Sequence, residues 1–167
     1  QSGVVSGSGG LTKSGTGALT LSGANTYTGA TTVSNGTLVA DNNTALGTTA
    51  GTTTVASGAT LAVQGGRTLA EALTIAGNGA GGTAGAVRNI SGNNTLTGVV
   101  TLGAGGARIN SDAGLLTLSG ANITGATQLL TVGGAGNTTI SKVIATTTGT
   151  LTKDGAGTLS LAGANTY

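Results

Sequence analysis

Few side chains in this chain could do chemistry. There is no His or Cys, so the commonest general bases, the thiolate nucleophile and the softer metal ligands are missing. What remains is four acids (Asp41, Glu71, Asp112 and Asp154), three Lys, three Arg and many hydroxyls. General acid/base catalysis on a glycan needs at least two carboxyl groups flanking one bond. Here the four acids stand 30 or more residues from one another, and they read as solitary solvated charges rather than an acid pair. Ser141 beside Lys142 matches no nucleophile arrangement. No catalytic, cofactor-binding or metal-ligating residue is expected, and the chain is read as a non-enzyme.

Two glycine-rich stretches invite a ligand reading and fail on chemistry. GNGAGG at 77–82 has the spacing of a phosphate-cradling loop after a strand, but no helix pattern follows and no acid lies about 20 residues on, so a corner is expected. GGAGNTTIS at 133–141 shares only its glycines with a calcium-binding nonapeptide, because Thr138 stands where Asp would bind the ion. The chain is expected to be heat-stable without metal. Six N-x-[ST] triplets, at Asn35, Asn42, Asn89, Asn93, Asn122 and Asn137, are attributed to turn chemistry.

The elements that must carry these residues are short and alternating. Runs such as ALTL, ATLAV, ALTIA, VVTL, LLTL and TLSL have the period of strands, each closed by Gly or Asn, which tolerate the positive φ of tight corners. One face is expected to be the core: Leu19 and Leu21, Leu61 and Val63, Leu73 and Ile75, Val100 and Leu102, Leu116 and Leu118, Leu159 and Leu161. The stretch RTLAEALTI at 67–75 is too short and Thr-rich for a stable helix. Leu, Val and Ile together are 35 of 167 residues beside 34 Gly and 34 Thr, with no Phe or Trp, so the core must be thin and repetitive. Disorder is disfavoured by 6% charged residues and a mean hydropathy of +0.27.

The pI of about 9.4 rests on six Lys and Arg against four acids, all scattered. Nucleic-acid binding needs clustered cations and usually aromatics, which are absent. No run is apolar enough to insert in a membrane.

Internal repetition is the strongest signal. LTKSGTGALTLSGANTY at 11–27 and LTKDGAGTLSLAGANTY at 151–167 agree at 12 of 17 positions, 140 residues apart. SGNNTLTGVVTL at 91–102 follows SGANTYTGATTV at 22–33, with Leu96 in the place of Tyr27, and LTLSGANITGAT at 116–127 repeats the run with one residue lost. The whole chain, 1–167, is therefore read as one all-β solenoid segment of a longer repetitive protein, with motif copies at 11–38, 91–102, 116–127 and 151–167. At roughly 20 to 25 residues per coil it would make about seven coils.

LTKSGTGALTLSGANTYTGATTVSNGTL at 11–38 closely resembles the autotransporter passenger-associated β-strand repeat. The resemblance implies a right-handed parallel β-helix in an exported bacterial surface protein, extracellular and delivered by a translocator barrel. It carries no catalytic or cofactor residue onto the matching Gly23, Asn25, Tyr27 and Gly29, whose role would be architectural. At 116–127 the pattern departs at Ile123, where the Tyr position is lost.

A structural spacer, stalk or fibre segment is the expected function. A surface of ordered Thr rows, binding ice or carbohydrate, is the alternative, motivated by Thr52–Thr54 and Thr146–Thr148 but without fixed spacing in the sequence; a β-helical glycan enzyme comes last. Partners would be end-to-end copies or continuation of the same chain, and a cell-surface or glycan contact. Two structural expectations follow. Tyr27 and Leu96 should be equivalent and buried, and Leu11–Tyr27 and Leu151–Tyr167 should sit at the same place on the cross-section, as repetition along a fibre requires.

Overall fold

The computed structural model describes residues Gln1–Tyr167. The chain winds into a parallel β-solenoid of about 7 coils, 2% helical. Each coil crosses three faces. Face one carries β1 (Leu11–Lys13), β3 (Thr31–Val33), β5 (Thr52–Val55), β8 (Ala72–Gly77), the first part of β11 (Val100–Ser111), β13 (Ile123–Thr124) and β16 (Ile144–Ala145). Face two carries β2 (Ala18–Leu21), β4 (Gly36–Ala40), β6 (Ala59–Gln64), β9 (Val87–Ser91), the second part of β11, β14 (Leu130–Gly133) and β17 (Leu151–Lys153). Face three begins as irregular extended chain, where Thr26 N donates to Val5 O and Thr48 N to Tyr27 O. It continues as β7 (Thr68–Leu69), β10 (Asn93–Leu96), β12 (Leu115–Leu118), β15 (Asn137–Ile140) and β18 (Leu159–Leu161).

Stacking in register follows from the alternation. Inward residues of one coil sit on inward residues of the next about 4.8 Å away, so Leu38, Leu61, Val87, Ile109 and Val132 form one continuous buried row on face two. Small, β-branched and Leu side chains suit so narrow an interior, and no aromatic filler is needed beyond Tyr27. The expected core residues are buried except at the last coil and at Leu19, which is partly buried. Leu159 is only half-buried and Leu161 is 37% exposed, both on the outermost strand of face three.

The coils differ in length while the rungs do not. On face one Leu11, Thr31, Thr53, Leu73, Val100, Ile123 and Ile144 stack in order, so a coil takes 20 to 27 residues. The longest runs from Leu73 to Val100 and contains GNGAGG, which bulges out with a single 3-10 turn at Ala80–Gly82. Thr60 ties that bulge down, its Oγ1 accepting from Ala80 N at 2.9 Å and donating to Gly85 O at 2.8 Å. Residues 67–75 form no helix: they hold β7, a corner at Ala70 and Glu71, and the start of β8.

Tyr27 and Leu96 are equivalent, as the shared frame requires. Each lies four residues before the same row of face one, at Thr31 and Val100, and they are 1% and 2% exposed. The expectation for the two ends is overturned. Leu11–Lys13 lies on face one but Leu151–Lys153 on face two, and Ala18–Leu21 on face two but Leu159–Leu161 on face three. The 140-residue offset is six coils plus one face. The copy at 116–127 is rotated the same way, with Leu116–Leu118 on face three and Ile123 on face one. The physical reason is that the motif specifies strand, corner, strand, corner, and every corner of the cross-section accepts the same Gly and Asn chemistry. Local sequence fixes the motif's shape; the count of strands before it fixes the face. In-phase repetition, on which the fibre expectation rested, does not hold.

Candidate functional site

Three of the four acids each meet an Arg that lies far away in sequence but close in space. Arg67 Nη2 meets Asp41 at 3.1 Å, Arg88 Nη2 meets Asp112 at 2.5 Å and Arg108 Nη2 meets Asp154 at 2.7 Å. Each pair joins different coils along the outer edge of face two. The Arg108 pair is bidentate, with Nη1 on Asp154 Oδ2 at 2.8 Å, and it spans an intervening coil. That span is open because the residue between is Gly133, where a Cβ would collide with both Asp154 Oδ1 and Arg108 Nη2. The Arg108 hydrogen bonds hold the Asp154 carboxyl below its ordinary value, and Arg108 is raised in turn. Reading these acids as solitary solvated charges is thus corrected: with every coil adding a row, residues tens of positions apart become neighbours.

Glu71 departs further from that reading. It is 3% exposed at the corner between faces three and one, and its Oε2 has no hydrogen-bond partner. Burial pushes its carboxyl up, partly offset by the amides of Glu71 and Ala70. Tyr27 lies two coils below, and the Glu71 charge adds to the burial that raises the Tyr27 phenol. The Tyr27 hydroxyl bonds Thr31 Oγ1 at 2.6 Å, and its ring lies against Gly47, where a Cβ would come within 2.9 Å of two ring carbons. Thr53, directly above Thr31, is buried with its Oγ1 unpartnered. One carboxyl with no second acid beside it has no partner for acid/base work. Lys13, 8% exposed, is likewise committed, its Nζ bonding Gly15 O and Asn35 O.

The Asn residues do more than form turns. Asn93 Oδ1 accepts from Leu115 N, Asn122 Oδ1 from Val143 N and Asn137 Oδ1 from Thr158 N, all across coils. Asn89 and Asn94 form a buried pair at 2.5 Å that reaches Ser111 and Ala113 of the next coil. Asn35 acts locally, accepting from Gly36 N, and Asn42 does both, accepting from Thr44 N and donating to Ser22 O of the neighbouring coil. Asn25 takes Val5 N on one side and gives to Ala45 O on the other, which is the architectural part expected of it. Thr138, at the would-be calcium position, points into the core.

The surface does hold two regular rows. The outward residue in successive strands of face one is Thr12, Thr32, Thr54, Thr74, Thr101 and Thr124, each the register partner of the next. Face three carries a second row, Thr68, Thr95, Thr117 and Thr139. The sequence hides both because coil lengths vary.

With this geometry in hand, comparison with known proteins gives one result. Residues 11–40 and 151–167 match the passenger-associated-transport-repeat. That agrees with the resemblance read from 11–38, and the repeat is found on a β-solenoid as it implies. The repeat's description concerns passenger transport and names no reaction, and it implies an exported, surface-associated protein. No curated protein and no solved structure matches the chain.

Proposed function

We propose that this chain is a rigid structural spacer within the passenger of a bacterial autotransporter, displayed outside the cell. The observation that carries the reading is where the polar side chains are spent. The three ion pairs, Lys13, Asn25 and the Asn89–Asn94 pair all tie one coil to another, so polar groups elsewhere used for chemistry here hold a stack together. Each coil is buried mainly by its neighbours, so length is added without a new core. Fused between an epitope and an outer-membrane anchor, the seven coils should move the epitope outward by about 34 Å, and each coil duplicated at a face-one rung by about 4.8 Å more. An epitope height that does not change with coil number would sink the spacer reading.

A further inference from the structure

We propose that Asn78–Gly79 is a spontaneous modification site, at which the folded chain converts Asn78 to aspartate and isoaspartate, while the same dipeptide at Asn35–Gly36 is protected. Of the twelve Asn, only these two precede Gly. Asn is a thermally labile residue, and its amide is lost when the next backbone nitrogen attacks Cγ. Gly leaves that nitrogen least hindered, having no Cβ. The nitrogen bonds to Cγ as the Cγ–Nδ2 bond breaks, ammonia leaves with the backbone proton, and a five-membered cyclic imide remains. Water, the one co-reactant, then opens the imide at either carbonyl. Opening at Cγ gives aspartate, and opening at the main-chain carbonyl sends the backbone through the β-carbon.

The two sites differ in what holds the reacting groups. Gly36 N donates to Asn35 Oδ1 at 2.7 Å, and Gly36 stands in β4, in register with Ala59. Its φ is 67, and Gly15 O lies where a Cβ would be, so that corner is closely packed. Asn35 N bonds Lys13 O and Asn35 O takes Lys13 Nζ, so turning the peptide there breaks contacts between coils. Cyclisation at Asn35 therefore waits on local opening of the rung, and only the open fraction reacts. Gly79 N has no hydrogen-bond partner in the chain, and the Asn78 side chain is exposed and equally free. Both lie between the end of β8 at Gly77 and the start of β9 at Val87, outside every ladder. The bonds that close this bulge, Gly85 N to Asn78 O and Ala80 N to Thr60 Oγ1, leave both reacting groups unengaged. Asp154–Gly155 would reach the same imide by losing water, but its carboxylate is held by both Arg108 bonds. The product matters to the corner it forms in. Neither Gly77–Ala86 nor the stacked segments Ala56–Gly58 and Gly103–Gly106 carry a charge, so the new carboxylate is the first there, and the isoaspartyl backbone is longer by a methylene.

The test is incubation of the whole folded chain at mildly alkaline pH in water labelled with heavy oxygen, followed by denaturation, tryptic digestion in ordinary water and mass spectrometry. Cleavage after Lys13, Arg67 and Arg88 leaves Asn35 in residues 14–67 and Asn78, with no other Asn, in residues 68–88. Side-chain label then reports only what the folded chain did. Asn78 should be labelled at least about tenfold faster than Asn35, with both aspartate and isoaspartate among its products. In urea, where no rung protects Asn35, the two should react at similar rates. Asn78→Gln, which disfavours the five-membered ring and touches no packed side chain, should leave residues 68–88 unlabelled. Equal rates in the folded chain, slowing of Asn78 by folding to the level of Asn35, aspartate as the sole product, or label that persists in Asn78→Gln would each overturn the proposal.

Discussion

Glu71 makes a pH-dependent contribution to stability whose sign the structure sets. Its carboxyl is buried with Oε2 unpartnered, so its pKa in the folded chain stands above the unfolded value, near 4.5. The stabilising form is the neutral acid. Its contribution is complete below the unfolded pKa and is lost as pH rises through the folded one, because the unfolded chain then ionises first. Between the two values stability should fall by up to about 1.4 kcal/mol per pH unit, which for a chain of this size is roughly 3 to 6 °C in melting temperature. Glu71→Gln keeps the shape and removes the titration, so its profile above pH 4.5 should be nearly flat, and it should be more stable than the wild type at pH 8. Asp154 acts in the opposite sense. Its carboxyl is depressed, so its contribution is present above the unfolded Asp value and lost as pH falls through the folded one, on the acid side of the Glu71 window. The assay is urea unfolding followed by circular dichroism from pH 4 to 8. A wild-type profile that is flat or rising across that range, or an unchanged slope in Glu71→Gln, would refute the reasoning.

Three further perturbations test the packing, each read by chemical denaturation. Tyr27→Ala should cost about 2 to 4 kcal/mol by emptying the space against Gly47, and Tyr27→Phe about 1 kcal/mol by removing the short hydrogen bond to Thr31 Oγ1, which keeps only its longer bond to Leu46 O. Gly133→Ala should destabilise by about 1 to 3 kcal/mol by displacing the Arg108–Asp154 bridge, while Asp154→Asn, on a half-exposed carboxylate, costs at most about 1 kcal/mol. Thr127 and Thr147 hold φ of 65 and 58, a conformation that a β-branched residue adopts only under strain. Thr147→Gly should therefore gain about 1 kcal/mol, and a loss of that size would show that its side chain is needed.

What the sequence determined is everything that depends on near neighbours along the chain. Alternation of Leu and Val with Thr set the strands and their inward faces, Gly and Asn set the corners, and the repeat at 11–38 pointed to the solenoid. The equivalence of Tyr27 and Leu96 was legible because both sit in the same local frame, a whole number of coils apart. The tertiary structure alone decided what stacks on what. Coil length varies from 20 to 27 residues, since a corner absorbs extra residues at little cost while the rungs must stay in register. Sequence spacing therefore does not report height along the stack or position around it. That is why the identical-looking ends fall on different faces, why Arg108 meets Asp154 across 46 residues, and why Glu71 is buried among apolar rows rather than solvated. It is also why six threonines with no common spacing stand in one line: the hydrogen-bonded ladder between coils, not the chain between them, sets their distance.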